Sequence, residues 1–179
     1  MEITLTELLA SRDARVEHQK KLAREFPRAS LICFTVILPG SVKRDDRSLT
    51  VAKAGVHAIR QTFQTCHSER SEESLIRYQE ERDLVTGFEA YFVVDLPAVD
   101  VKRICCEIED NHPLGRLMDI DVIAGPEIRP LSRAESGLPE RRCLLCEKPA
   151  RECMRAHRHT QAELHAAIDT LIKYAGKPE

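Results

Sequence analysis

An α+β fold with a ferredoxin-like βαββαβ core is predicted for this chain from three observations. A short apolar run rich in branched residues, "LICFTVIL" at 31–38, has the length and composition of a strand buried on both faces. Two later segments carry apolar residues at helical spacing, and each is followed by extended, β-rich sequence. Read in order, the pattern is strand, helix, strand, strand, helix, strand, which is the split βαβ arrangement.

Each element has its own local cause. Thr4 and Glu7 form a capping box, and Leu5, Leu8 and Leu9 share a face, so a helix opens the chain and ends before Pro27. Pro39 and Gly40 stop the first strand. Leu49, Ala52, Val56, Ile59 and Phe63 then line one side of a helix. Residues 66–74, "CHSERSEES", offer nothing to bury and are expected to form a solvated loop. Extended stretches at 75–85 and 89–96 flank Thr86 and Gly87 as a hairpin. Pro97 suits a first helical turn, and Val101, Ile104, Cys105 and Ile108 place a helix that stops before Pro113. Residues 117–123 are extended, and a turn at Gly125 and Pro126 leads to a short extra strand at 128–131. A Cys-rich segment follows. In a last helix Leu164, Ile168, Leu171 and Ile172 share a face, and Gly176 and Pro178 end it.

At 179 residues the chain is expected to form a single domain, with an α+β core at 1–140 and a Cys/His-rich segment plus C-terminal helix at 141–179. A hydrophobic fraction of 42% with 31% charged residues is a globular composition, and no apolar run approaches the ~20 residues of a membrane span. The formal charge of -2 provides no general basic field, so neither a nucleic acid nor a membrane is an expected partner. The early acids of "MEITLTELLASRD" do not fit a secretory signal, which places the protein in the cytoplasm. In that reducing setting Cys33, Cys66, Cys105 and Cys106 are read as small buried hydrophobes.

The chemistry concentrates in "HPLGRLMDIDVIAG" at 112–125. Side chains alternate along a strand, so Asp119 and Asp121 point one way while Met118, Ile120 and Val122 pack on the other side. Two carboxylates at that spacing repel unless a cation or a proton lies between them. Magnesium, held by one or two carboxylates and by substrate phosphates, meets the need and points to phosphoryl or nucleotidyl transfer. Gly115 lets backbone approach an anion, Arg116 grips phosphate, and His112 can take a proton from an attacking hydroxyl. The plainer alternative makes the aspartates residues on the wet face of an edge strand. Neither a G-x-x-x-x-G-K-[ST] loop nor a G-x-G-x-x-G fingerprint occurs, and no cysteine stands out as a protease nucleophile.

A second constellation lies in "RRCLLCEKPARECMRAHRH" at 141–159. Cys143, Cys146 and Cys153, followed by His157 and His159, offer three thiolates and an imidazole, with His159 taken as the fourth ligand of a closed structural zinc site. A redox C-x-x-C fits less well without a βαβ context. Arg141, Arg142, Arg151, Arg155 and Arg158 surround the cysteines as a solvated face or as a grip on polyphosphate.

"ELLASRDAR" at 7–15, "FTVILPG" at 34–40, "HPLGRLMDIDV" at 112–122 and "LPERRCLLCE" at 138–147 resemble the bacterial apo-citrate lyase phosphoribosyl-dephospho-CoA transferases, or holo-citrate lyase acyl-carrier-protein synthases. Residues 66–80 depart from that pattern. The resemblance implies a nucleotidyltransferase that moves the prosthetic group from triphosphoribosyl-dephospho-CoA to a serine of the citrate lyase acyl carrier (gamma) subunit, releasing pyrophosphate. The residue roles rest on chemistry: magnesium on Asp119 and Asp121, the triphosphate at Gly115 and Arg116, and contributions from Arg142 and from Arg12, whose "SRD" matches the family's N-terminal motif. The proton of the serine would pass to His112 or to an aspartate. Two alternatives stay open: a zinc-dependent interaction adaptor without catalysis, and the same chemistry on another carrier such as that of malonate decarboxylase.

Overall fold

The computed structural model describes residues 2–64, 74–125 and 128–175. The chain is a mixed α+β protein built on one four-stranded antiparallel sheet. Most of the expected loop at 66–74, the turn residue Pro126, Cys66 and the stop at Gly176 and Pro178 lie outside the described residues.

Helix α1 spans Leu5–Glu25 and begins with the expected capping box, in which Glu7 N–H donates to the Thr4 hydroxyl and Thr4 N–H donates to the Glu7 carboxylate. What holds α1 differs from the expectation. Leu5 and Leu9 are 71% and 49% exposed, and the buried residues are Gln19 and Leu22 in the second half. The shared leucine face sets the helical period without being the face that docks.

Strand β1 covers Ser30–Val36 and is buried from Ser30 to Phe34, as the unbroken apolar run requires. Helix α2, Asp46–Gln64, buries Val51, Ala52, Val56, Ile59 and Phe63 and approaches the sheet closely at Gly55, where a Cβ would fall 2.3 Å from the Phe34 ring. Strands β2, Ile76–Leu84, and β3, Gly87–Val94, form the hairpin, with Gly87 at φ +126° in the turn. Helix α3, Ala98–Asn111, begins after Pro97. A single 3-10 turn, Gly115–Leu117, then delivers the chain into β4, Met118–Ala124. Helices α4, Ala150–Arg155, and α5, Gln161–Ala175, complete the described elements.

The strand order is β2-β3-β1-β4, so β4 lies at an edge of the sheet and forms its ladder with β1. One sheet face, with Phe34, Phe92, Met118 and Ile120, carries the main core beneath α2 and α3, joined by Ile168 of α5. The other face, with Leu31, Cys33, Tyr91, Val93 and Ile123, packs under Leu22 and Phe26. None of the described helices is long and apolar enough to cross a membrane.

Two further expectations are corrected. The extra strand at 128–131 shrinks to one bridge between Ile123 and Pro130 and one bond from Leu131 N–H to Val122 O. Pro130 has no N–H for a ladder, and Ile128 stands at φ 48°, outside extended geometry. The Cys-rich segment also contains a helix, α4, that its short apolar content does not reveal.

Gly115 fixes the entry to β4. A Cβ there would lie 2.5 Å from the carbonyl oxygens of Ile108 and Glu109, which are backbone and cannot swing away. Gly115→Ala is therefore expected to destabilise the fold by about 2 kcal/mol or more, read as a lower denaturation midpoint.

Candidate active site

The burial pattern of β4 alternates as its sequence demands. Met118, Ile120 and Val122 enter the core beneath the helices, and Asp119 and Asp121 face the α1 side together. Across the sheet, Asp121 pairs with Cys33, which pairs with Tyr91; Asp119 pairs with Thr35, which pairs with Glu89. The two acids are unequal. The Asp119 side chain is 51% exposed, whereas Asp121 is half-buried. No hydrogen bond or ion pair reaches Asp121 among the described residues. Burial, and then the neighbouring Asp119 charge, push the Asp121 carboxyl up to about 6, against which Lys102 and Arg15 act only in part. A half-buried carboxylate beside a second one, with no donor of its own, is a site that a divalent cation would relieve.

The neighbouring acid on β3 is handled differently. Glu89 accepts from Arg15 Nε at 2.8 Å and from the Tyr91 hydroxyl at 2.5 Å, so it is fully engaged. The tyrosine is correspondingly held in its protonated form by burial and by Glu89. Gln19 of α1 donates to the buried Cys33 sulfur at 3.3 Å, closing this part of the α1 face.

An edge strand leaves backbone groups unpaired, and β4 has side chains to receive them. Ile120 N–H donates to Glu109 Oε1 at 2.9 Å, and Lys102 Nζ donates to Ile120 O at 3.0 Å. Arg141 donates to the carbonyls of Gly115, Arg116 and Met118 at 3.1, 2.8 and 2.8 Å. Its other nitrogen lies 3.5 Å from Glu109 and 3.9 Å from Asp119. Arg133 in turn holds Glu109 at 2.7 Å and clamps Asp110.

The other residues singled out in the sequence are dispersed. His112 caps the C-terminus of α3, with Nδ1 accepting Leu114 N–H at 3.0 Å. Burial and the nearby His57 of α2 keep its imidazole below the ordinary value. It belongs to the helix layer, opposite the face on which the aspartates lie. Gly115 spends its N–H on His112 O at 2.8 Å, so the glycine serves close packing. Arg116 turns towards the Cys-rich segment and donates to Arg142 O, while the Arg142 side chain pairs with Glu147 at the surface. Arg12 is exposed on α1 near Lys43. The arginine that approaches Asp119, Arg141, adjoins Arg142 in sequence. Lys102 and Glu109 were legible only as helix residues, because their role depends on which edge of the sheet α3 covers.

Cys143, Cys146, Cys153 and His159 are brought together, with one donor atom from each within 4.8 Å of the others. Cys146 Sγ lies 3.5 Å from Cys153 Sγ and 3.5 Å from His159 Nε2. Tetrahedral zinc with Zn–S bonds of ~2.3 Å would set sulfurs roughly 3.8 Å apart, so these four residues could hold that ion. The amides of Leu145 and Cys146 point at the Cys143 sulfur and, against the effect of burial, hold its thiol below the ordinary value.

The Asp121 carboxyl titrates higher in the fold than in an unfolded chain, so the native state loses stability as pH rises from about 4 through about 6. Without divalent cations, Asp121→Asn should raise stability at pH 8 by roughly 1–3 kcal/mol. The gain should vanish towards pH 4, as followed by thermal unfolding at several pH values.

Comparison with known proteins agrees with the resemblance carried by the four motifs. The family model described as apo-citrate lyase phosphoribosyl-dephospho-CoA transferase matches residues 3–175. A relative of that name from Escherichia coli is 37% identical over 172 residues, covering 95% of this chain and 88% of its own. One from Citrobacter koseri is 36% identical over 171 residues, with the same coverage. A protein from Streptococcus pyogenes named as a probable member is 33% identical over 172 residues, covering 95% and 85%. The chain belongs to the apo-citrate lyase phosphoribosyl-dephospho-CoA transferase family.

Proposed function

We propose that this protein is a cytoplasmic nucleotidyltransferase. It attaches the phosphoribosyl-dephospho-CoA group of triphosphoribosyl-dephospho-CoA to a serine of the citrate lyase acyl carrier (gamma) subunit. The serine oxygen attacks the phosphorus attached to the ribose, a new P–O ester forms, and the bond to the outer two phosphates breaks to release pyrophosphate. The whole chain acts as one transferase domain, and the strand order with α2 and α3 as the two crossovers supports the reading of a split βαβ core.

The observation that supports the reaction most directly is Asp121, half-buried, beside Asp119 and without a donor among the described residues. In this reading both carboxylates hold magnesium, which supplies charge neutralisation for the attacking and leaving oxygens. Asp119, the more exposed of the two, faces the incoming substrate. His112 has its Nδ1 engaged in the opposite layer, so the serine proton passes to the carboxylate side of the sheet. Arg12, exposed on α1, attracts the polyphosphate. Gly115 contributes by setting the entry to β4, while Arg116 and Arg142 are outer contacts on the Cys-rich side. The same reading gives the Cys143, Cys146, Cys153 and His159 group a structural zinc ion.

The test incubates the protein with apo-carrier, precursor and magnesium and follows the carrier's mass together with pyrophosphate. Addition of the prosthetic group is expected, and Asp121→Asn should lower the rate at least about a hundredfold while the protein stays folded. An unchanged rate in that variant would dismiss the magnesium role. For the second metal, Cys146→Ser should abolish bound zinc by elemental analysis and lower the melting temperature.

A further inference from the structure

Arg141 lies two residues before the first thiol of the Cys3His group and reaches across to the start of β4. Its guanidinium donates to the carbonyls of Gly115, Arg116 and Met118 around that strand's entry and approaches both Glu109 and Asp119. Its main chain is tied into the cysteine loop. Ala150 N–H, opening α4, donates to Arg141 O at 2.8 Å; Cys143 N–H donates to Lys148 O at 2.7 Å; and Arg142 bridges to Pro149. Cys153 sits on that same short helix. The loop therefore closes between two ligand-bearing arms, and Arg141 projects from the closure.

Residues 141–159 bury little of themselves: Cys153 is their one buried residue, with Leu144 packed partly against the main core. So few apolar contacts do not hold a loop of this length against its conformational entropy. We infer that a zinc ion on Cys143, Cys146, Cys153 and His159 fixes the edge of β4 through Arg141, and so sets the placement of Asp119 and Asp121. Arg141 is then a positioning residue: it acts on the aspartates by satisfying the carbonyls of the strand that carries them. The inference rests on the zinc assigned under the proposed function and adds a coupling between the two ends of the site. Arginine suits this task because Nη2 meets the three carbonyls while Nη1, on the other arm of the same rigid fork, points at Glu109 and Asp119; a single lysine ammonium does not span both sets.

The experiment measures hydrogen exchange of the backbone amides in 118–124, with zinc content and transfer rate, for the full-length protein and for Arg141→Lys, each before and after chelation. In the unaltered protein chelation should speed exchange there about tenfold or more. Arg141→Lys should keep its zinc yet show that faster exchange already, with little added by chelation, and its transfer rate should fall in step. Equal acceleration by chelation in both proteins, or none in either, overturns the coupling while leaving the zinc assignment intact. Purified protein that contains no zinc overturns both. Should Arg141→Lys fold poorly, chelation of the unaltered protein alone decides: β4 exchange that does not respond refutes the coupling.

Discussion

The constraint on which this molecule depends is the unpaired edge of β4. A strand at the rim of a sheet exposes amide and carbonyl groups that must find partners in water or in the protein. Here Glu109, Lys102 and Arg141 take that role, and a backbone amide from Leu131 adds one more bond. The strand consequently has three distinct sides. Its apolar residues enter the core, its edge is sealed by ionic side chains, and its acids are left for the α1 face. Because the edge is sealed by charges from outside the strand, the acids need not bend back to cap it.

Sealing with charge has a consequence for Asp121. Lys102 belongs to the seal, yet its ammonium lies close enough to offset part of the penalty that burial and Asp119 impose. The offset is incomplete, since the carboxyl still titrates near 6. A fold optimised for stability alone would have placed a neutral residue there, as the apolar neighbours on the opposite face show is acceptable to the strand. Retaining a strained carboxylate next to a second acid is the behaviour expected of a site held ready for a cation. Glu89 provides the internal contrast, because it lies on the same face and is silenced by Arg15 and Tyr91.

The sequence made the strand alternation, the two crossover helices and the grouping of Cys143, Cys146, Cys153 and His159 legible, because each follows from periodicity or spacing within a few residues. Which arginine meets an aspartate was not legible. Arg141 and Arg142 are adjacent and chemically identical, and only the closure of the cysteine loop decides which of them faces β4. His112 lies seven positions before Asp119, but it caps α3 with Nδ1 on the Leu114 amide, whereas Asp119 stands on β4 beyond the turn at Gly115. Leu5 and Leu9 had the right period and no partner, since the docking contacts of α1 are largely polar, through Ser11, Arg15, His18 and Gln19, with apolar packing beginning at Leu22.

The two proposed ion sites differ in donor chemistry in a way that keeps them apart. Thiolates and imidazole favour zinc, and a pair of carboxylates open to substrate phosphates favours magnesium, so one chain can hold both ions without exchange between them. Zinc adds no open coordination position when four protein ligands surround it, which excludes it from the reaction and leaves it a mechanical role. That role has a direction. In the proposed coupling the ion would close the loop, the loop would project Arg141, and Arg141 would fasten the strand that carries the carboxylates. A strand anchored at its edge can present two repelling charges at a fixed separation, whereas a loose edge would let them drift apart and relax the repulsion that draws the second ion in.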